Sequence, residues 1–268
     1  MRAAALAALR EPSPARKKEL VDALSLGLQA DPAWASSEPA GIPGRPDKPA
    51  LVAPQQVKAR SVATAEGRAA LIHSLAHIEF NAINLALDII WRFGGMPGDF
   101  YSDWMQVAKD EARHFALLDQ HLAGMGHSYG DFPAHDGLWE MAQRTRHDVL
   151  ARLALVPRTL EARGLDVSLP IRNKLAAAGD TQAAAILDII LRDEITHVAI
   201  GNRWYRHVCG SRGLDPLTQY DELARTYRAP RLRGPFNIEA RRSAGFTDEE
   251  LLALKASAVS GPAGPGGR

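Results

Sequence analysis

The chain has 268 residues, of which 46% are hydrophobic and 24% are charged, as expected for a globular protein with one good core. Its formal net charge of +1 gives no overall field that would favour nucleic acid or a membrane surface. The single cysteine, Cys209, excludes an internal disulfide framework, a cysteine-based zinc site and a rubredoxin-type iron centre. No apolar run approaches the roughly 20 residues of a membrane span. The Ala/Leu-rich opening, Met1 to Leu9, lacks a secretory core with a cleavage site, so we expect a cytoplasmic protein.

The first 63 residues are predicted to form an N-terminal extension. Leucines at four-residue spacing, Leu20, Leu24 and Leu28, indicate a short amphipathic helix over residues 12–29. Residues 30–63 are rich in Pro, Gly and Ser, which favours an extended path over the surface.

Residues 64–210 carry four long helical patterns, and no segment has the two-residue period of a strand. The predicted fold class is therefore all-α, a four-helix bundle with extensions at both ends. Glycines mark the expected helix ends, and Asp180 is the expected N-cap of the fourth helix. The predicted helices cover residues 64–93, 97–123, 135–163 (ending at Gly164) and 180–209 (ending at Gly210), with a short crossing helix at 169–178.

Residues 211–268 are predicted to wrap the bundle as a C-terminal extension. A short helix is expected over 216–227, followed by an irregular segment over 229–237. Thr247 and Glu250 have the spacing of a capping box that opens one last helix. The tail after Ser260 is rich in Gly and Pro and is expected to be disordered.

The most informative pattern in the sequence is a doubled set of metal-ligand residues. Each half consists of one Glu followed, after 32 residues in the first half and 33 in the second, by a Glu-x-x-His motif. Such a set is typical of a di-iron or di-manganese carboxylate site inside a four-helix bundle. The candidate ligands are Glu79, Glu111 and His114 in the first half and Glu161, Glu194 and His197 in the second.

These carboxylates interrupt apolar helical stripes. Glu79, for example, lies in register with Ile72 and Ile83. A buried, unpaired carboxylate costs several kcal/mol or takes up a proton. Four buried Glu residues are explained by two divalent cations, whose four positive charges balance them. We therefore predict a dinuclear metal site; for either motif taken alone, a solvated helix face is the alternative.

Three residues near the motifs extend this prediction. Pro157 should kink the third helix and so decide whether Glu161 points inward or into solvent, and the apolar stripe before it favours the inward direction. Asp110 and Asp193 directly precede the two Glu-x-x-His motifs. We predict that each accepts a hydrogen bond from the second ring nitrogen of a metal-bound His, with a surface aspartate as the equal alternative.

Several segments resemble known families. The two motif regions resemble the paired Asp-Glu-x-Arg-His signatures of the ferritin-like di-iron superfamily, although Thr196 replaces the Arg of the second signature, so no arginine contact is expected there. Further segments are similar to an uncharacterised bacterial ferritin-like family of unknown function, and more distantly to di-iron tRNA-modifying hydroxylases. The likeness covers about residues 45–255. The segments that carry it are Lys109-Asp110-Glu111-Ala112-Arg113-His114, Asp193-Glu194-Ile195-Thr196-His197, His73-Ser74-Leu75-Ala76-His77-Ile78-Glu79, Glu161-Ala162-Arg163-Gly164-Leu165-Asp166 and Pro235-Phe236-Asn237.

The resemblance implies a ferritin-like fold, the six ligands above and two bound Fe, with Mn or a mixed Mn/Fe pair as the alternative. We expect an oxidoreductase that uses O₂ or peroxide to oxidise or hydroxylate an unidentified small molecule or a tRNA. Glu111 and Glu194 would be its catalytic, bridging carboxylates, and an external donor would supply electrons. Iron handling, peroxide detoxification of the rubrerythrin or manganese-catalase type, and a structural metal bundle are the alternatives. The sequence leaves the substrate, the metal, the electron donor and the oligomeric state open, with a homodimer among the states that it allows.

Two further groups of residues could form sites. His73 and His77 are four residues apart and could share a metal, but His77 lies about 200° around the helix from Glu79, which favours a helix-packing or surface role. A basic segment could bind phosphates or nucleic acid. The acidic residues Asp221, Glu222 and Glu239 within it favour a solvated or salt-bridged surface instead. The basic residues are Arg225, Arg228, Arg231, Arg233, Arg241 and Arg242.

Overall fold

The computed structural model describes residues 1–25, 39–58 and 60–259. Within these ranges the regular elements are helical, apart from one isolated bridge between Leu51 and Ala134, so the all-α prediction is confirmed. None of the described helices is both long and apolar enough to cross a membrane. The helices are α1 (Arg2–Arg10), α2 (Pro14–Asp22), a short 3₁₀ turn (Pro54–Gln56), α3 (Ala65–Arg92), α4 (Gly98–Gly124), α5 (Gly137–Arg144), α6 (Val149–Leu155), a π-helical turn (Val156–Glu161), α7 (Ala162–Ala177), α8 (Thr181–Arg212), α9 (Pro216–Thr226), α10 (Ile238–Ser243) and α11 (Asp248–Val259).

The chain divides into two compact units. The first unit comprises Met1–Val149 and Ile171–Ile190, and the second comprises Leu150–Pro170 and Leu191–Arg268. Both α7 and α8 therefore contribute residues to each unit. The predicted division into residues 1–63, 64–210 and 211–268, with a four-helix bundle in the middle segment, stays a prediction.

The N-terminal helices differ from the prediction. The Ala/Leu-rich opening forms α1, a helix that its composition favours but that the spacing of apolar residues did not reveal. The helix predicted over 12–29 begins at Pro14, where the Ser13 hydroxyl accepts a hydrogen bond from the N–H of Arg16, and α2 ends at Asp22. Leu28 and residues 30–38, the first part of the predicted extended segment, lie outside the described residues.

The long helices α3 and α4 confirm the first two helical predictions to within about two residues at each end. Thr64 caps α3 by accepting a hydrogen bond from the N–H of Gly67 at 3.0 Å. Gly67 is required there, because a Cβ would lie 1.8 Å from the Ser61 carbonyl oxygen. Since α3 and α4 are joined by a short connection and pack on each other, residues on their facing sides lie close together.

The third predicted helix, over 135–163, is wrong as a single element. The chain forms α5, breaks near Thr145, and resumes as α6. At the end of α5, both the N–H and the hydroxyl of Thr145 donate to the Met141 carbonyl, at 3.1 and 2.8 Å. The predicted disturbance at Pro157 is a π-helical turn, in which the Thr159 hydroxyl donates to the Ala154 carbonyl at 2.8 Å.

The predicted stops at Gly164 and Gly210 are also wrong. The chain continues as α7 through Gly164 and Pro170 to Ala177, so the predicted crossing helix at 169–178 is the end of α7. The start of α8 is confirmed, because the Asp180 carboxylate accepts a hydrogen bond from the N–H of Ala183 at 3.0 Å. α8 then runs past Gly210, which is helical, and ends before Gly213, whose φ of +66° suits a glycine.

The C-terminal helices largely follow the prediction. α9 covers the expected segment, and the last helix opens with the expected capping box: the N–H of Glu250 donates to the Thr247 hydroxyl, and the N–H of Thr247 donates to the Glu250 carboxylate. The sequence did not reveal α10, which Asn237 caps by accepting from the N–H of Ala240. The tail predicted to be disordered, after Ser260, lies outside the described residues.

In the second unit, Gly201 of α8 lies directly against the π-helical turn. A Cβ on Gly201 would lie 2.6 Å from the Cβ of Pro157, far closer than two carbons can approach. We expect Gly201→Ala to lower the free energy of unfolding by about 1–3 kcal/mol, measured by urea denaturation. The control is Gly210→Ala on the same helix, where a Cβ meets nothing within 4 Å; it should raise stability by about 0.5–1 kcal/mol. Equal effects of the two substitutions would contradict the close contact.

Candidate metal centre

Two helices of the first unit supply the first half of the predicted site. Glu79 lies in the middle of α3, and Glu111 and His114 lie in α4, three residues apart and thus on one face of that helix. All three side chains are buried, with Glu111 and His114 fully inaccessible to solvent. The three residues occupy core positions of the helical repeats of α3 and α4, so they are buried together with the apolar residues of the same stripes.

The ligand atoms of these three residues converge. Nδ1 of His114 lies 3.3 Å from Oε2 of Glu79 and 3.4 Å from Oε2 of Glu111. One ligand atom from each residue falls within 4.8 Å of the others. A single imidazole nitrogen thus faces two carboxylate oxygens, and a cation placed among them would contact one atom of each side chain.

The electrostatics show that the group is unfavourable as two bare carboxylates. Burial raises the pKa of Glu79 well above its usual range, and the negative charge of Glu111 raises it further. Burial acts to lower the pKa of His114, but hydrogen bonds and charges from Glu111 and Glu79 outweigh it and raise the pKa to about 11. The site therefore attracts positive charge.

The donor set fits a divalent metal ion. Two carboxylates and one imidazole supply the oxygen and nitrogen ligands that Fe, Mn and Zn accept, and one divalent cation would balance the two carboxylate charges. The buried Glu and His residues could thus bind a metal ion. The side chains alone do not select among these metals.

The second half of the sequence pattern lies in the second unit. Glu194 and His197 are buried one turn apart on α8, with Nδ1 of His197 3.8 Å from Oε1 of Glu194. Glu161 is the last residue of the π-helical turn and is half-buried. Within the part of the chain that the structure describes, Glu161 joins no group of three candidate ligands, and its assignment as a ligand stays a prediction.

Both predicted orienting aspartates contact residues of their own helices. Asp110 accepts hydrogen bonds from Gln106 at 3.2 Å and Arg113 at 3.1 Å, both on α4. Asp193 accepts from the neighbouring Arg192 at 2.9 Å. Each carboxylate thus accepts hydrogen bonds from side chains of its own helix. The predicted hydrogen bonds to the histidines stay predictions.

The histidine pair His73 and His77 belongs to a packed aromatic and polar cluster in the first unit, as the packing interpretation predicted. Nε2 of His73 accepts a hydrogen bond from the N–H of Gly130 at 2.9 Å, and its ring stacks on Tyr129. Tyr129 donates its hydroxyl to Nδ1 of His77 at 2.8 Å, and Nε2–H of His77 donates to the His135 carbonyl at 3.1 Å. Both rings are thus held neutral, and burial lowers the pKa of each to about 4.

The lowered pKa of His73 predicts a specific acid sensitivity. The unfolded chain takes up a proton at this residue near pH 6.5, whereas the folded chain does so only near pH 4. The neutral ring therefore makes its full contribution to the free energy of unfolding above pH 6.5, and this contribution is lost as the pH falls toward 4. Between pH 7 and pH 4.5, the free energy of unfolding should fall by about 1–3 kcal/mol less in His73→Gln than in the wild type. Urea unfolding at each pH measures this difference. The exposed His147 offers the control His147→Gln, which should leave the pH dependence unchanged. A wild-type dependence in the His73 variant would contradict the neutral, buried ring.

The structure divides the basic segment of the second unit. Arg241 is buried and paired with Asp166 at 2.7 Å, so it does not lie on the surface that the sequence predicted. Arg242 is exposed and paired with Asp248 at 2.8 Å, as the prediction of a salt-bridged surface requires. Arg225, Arg228 and Arg231 line a cleft instead. The sequence did not single out Arg158, a buried arginine of the same cleft; its one signal was a charged residue beside Pro157 in an otherwise apolar stretch.

Comparison with known proteins identifies the family. The family described as a protein of unknown function, DUF455, matches residues 10–252, a range that includes all six predicted metal ligands. An uncharacterized protein of Haemophilus influenzae is 54% identical over 213 residues, which cover 77% of this chain and 74% of that protein. No solved structure matches the chain. By these matches the chain belongs to the DUF455 family of proteins of unknown function.

Proposed function

We propose that the protein is a non-haem di-iron carboxylate oxidoreductase of ferritin-like fold that uses O₂ or peroxide to oxidise or hydroxylate a substrate. The observation that carries the proposal is the burial of Glu79, Glu111 and His114 with one ligand atom from each inside 4.8 Å. A bound cation would offset the free-energy cost of burying the two carboxylates, and carboxylate and imidazole groups are suitable ligands for it.

The doubled sequence pattern supports the step from one ion to two. Glu194 and His197 repeat the one-turn spacing of Glu111 and His114, and both are buried. Glu161 supplies the second lone carboxylate of the pattern. The four Glu residues, Glu79, Glu111, Glu161 and Glu194, would balance two divalent ions and, with His114 and His197, would hold them.

Aromatic residues help to hold the two helices that carry the three ligands together. Phe80 follows Glu79 on α3 and Phe115 follows His114 on α4, and their rings lie 5.6 Å apart. Tyr129 packs edge-on against Phe115 at 5.1 Å, which adds a third aromatic side chain to this layer. This packing of α3 on α4 supports the fixed ligand geometry that a metal site requires.

Bound iron would supply the redox chemistry, and electrons would come from an external donor. The chain's own residues would hold the two ions, set their spacing and exclude water. His114, whose Nδ1 already faces both carboxylates, would contribute a nitrogen ligand from α4, and His197 would do the same from α8.

The first test is the metal content of protein purified without added metal, followed by anaerobic titration with Fe(II) and mixing with O₂. Two irons per chain that consume O₂ without further iron uptake would support the proposal. Continued uptake beyond two per chain would favour iron storage. Two ions that do not react with O₂ or peroxide would favour a structural role, and either of these results would overturn the oxidoreductase.

A further inference from the structure

The second unit contains a cleft that the metal centre does not explain. Its volume is about 740 Å³, within the 300–1,000 Å³ that is usual for small-molecule sites. Residues from the π-helical turn, α9, the segment after α9, α10 and α11 line it, among them five arginines and two carboxylates. We propose that this cleft binds a phosphorylated organic molecule of about nucleotide size.

The floor of the cleft presents a buried arginine. The side chain of Arg158 is 2% exposed; it donates to Oδ1 of Asn202 at 2.7 Å and pairs with Glu250 at 2.5 Å. Its Nε is buried and makes no hydrogen bond to any residue that the structure describes. Arg158 also lines the cleft, so its fixed positive charge lies close to any anion that enters.

Aromatic rings fix the Arg158 guanidinium in place. Its carbon lies 4.9 Å from the ring centroid of Tyr205, 5.3 Å from that of Tyr220 and 4.9 Å from that of Phe246. Because the rings and the Glu250 carboxylate hold the group rigidly, little side-chain entropy remains to be lost when an anion binds.

The rim carries positive charge that protein carboxylates do not neutralise. Arg225, Arg228 and Arg231 are exposed, and within residues 1–25, 39–58 and 60–259 none of them forms an ion pair. Arg225 donates to the Asp221 carbonyl and Arg231 donates to the Ser257 carbonyl at 2.8 Å, which orients both side chains. Of the two lining carboxylates, Glu250 is already paired with Arg158 and Arg206. Guanidinium groups match phosphate oxygens in geometry and charge.

The remaining walls are apolar and explain why an organic phosphate is preferred to inorganic phosphate alone. Leu217, Leu232 and Leu254 line the cleft together with the rings of Tyr220 and Phe246. A flat aromatic or apolar portion of a ligand would bury its surface there while its phosphates reach the rim arginines.

The test is calorimetric titration of the full chain with ADP, pyrophosphate, adenosine and citrate in 50 mM salt. ADP should bind saturably and at least 10-fold more tightly than pyrophosphate, and 500 mM salt should weaken it at least 10-fold, because the rim charges are exposed. Absence of saturable ADP binding, equal affinities for ADP and pyrophosphate, or citrate binding as tightly as ADP would overturn the proposal. A ten-nucleotide RNA that binds more tightly than ADP would replace the small ligand by a nucleic acid and overturn it as well.

A pair of matched double variants locates the site. Arg228→Asn with Arg231→Ala should weaken ADP binding at least 10-fold; asparagine is chosen because Arg228 has a φ of +52°, which asparagine tolerates. The control, Arg233→Ala with Arg242→Ala, removes the same charge from residues that do not line the cleft and should change affinity less than twofold. Equal losses in both variants would show general charge attraction and overturn the site. Metal content, measured on both variants, should be unchanged, so this test is independent of the metal centre.

Discussion

Glu111→Gln is expected to weaken Fe(II) binding roughly 100-fold or more while changing the stability of the metal-free protein much less. Loss of a residue that only supports a ligand already costs about 10–100-fold in affinity, so loss of a direct ligand should cost at least as much. In the metal-free state, burial and then the Glu111 charge raise the pKa of Glu79, whereas Glu111 also attracts His114 and raises its pKa. Removing the Glu111 charge relieves the repulsion and loses the attraction, so the two effects on stability oppose each other. Anaerobic Fe(II) titration and thermal unfolding of metal-free protein measure the affinity and the stability separately.

A large loss of metal affinity with a small change in stability distinguishes a metal ligand from a residue that only supports the fold. Glu66→Gln is the control on the other helix of the pair, since Glu66 lies at the exposed start of α3 and should change neither quantity. Joint replacement of Glu111 and Glu194 by alanine should abolish binding of both ions while the circular dichroism spectrum stays helical. Retention of two tightly bound ions in that double variant would refute the ligand assignment.

Arg241→Met should lower the free energy of unfolding by about 3–5 kcal/mol, because it leaves the Asp166 carboxylate buried without its cation. Arg241 is 1% exposed and donates to both oxygens of Asp166, at 2.9 and 2.7 Å. Its guanidinium also lies over the rings of Phe236 and Phe246. The N–H of Asn237 remains as a donor to Asp166, but one backbone N–H does not balance a buried negative charge.

The neighbouring arginine provides the control for this prediction. Arg242 pairs with Asp248 at 2.8 Å on the surface, where such pairs contribute little, so Arg242→Met should cost at most about 0.5 kcal/mol. Adding Asp166→Leu to Arg241→Met should recover much of the lost stability, since an apolar pair can replace a buried ion pair. Urea unfolding of the wild type, Arg241→Met, Asp166→Leu and the double variant measures this cycle. Additive effects of the two substitutions would exclude the ion pair as the cause.

The sequence by itself determined the features that depend on local spacing. The 3.6-residue period and the residues typical of helix ends placed α3, α4 and the start of α8 correctly. Both signals depend only on residues within one helical turn of each other, so the sequence shows them directly. The same period put Glu111 beside His114 and Glu194 beside His197 on buried faces. The capping box at Thr247 was readable for the same reason, since its partners lie three residues apart.

The helix breaks were decided by contacts that spacing does not encode. Gly164 and Gly210 are ordinary stop signals, yet both are helical, because packing of the second unit's core outweighs the roughly 1 kcal/mol cost of a glycine inside a helix. One cluster of that core consists of Ala162, Leu165, Val198, Ala240 and Ala244. The break after α5 lies at Thr145, and nothing in the apolar period reveals it.

Only the tertiary structure brought together residues that are distant in the chain. Glu79 lies 35 residues from His114, Arg158 lies 92 residues from Glu250, and Asp166 lies 75 residues from Arg241. A sequence pattern could suggest the first of these pairs because metal ligands repeat in a known order. No such pattern marks the other two, since the partner of a buried charge is set by how the helices pack and not by its position along the chain.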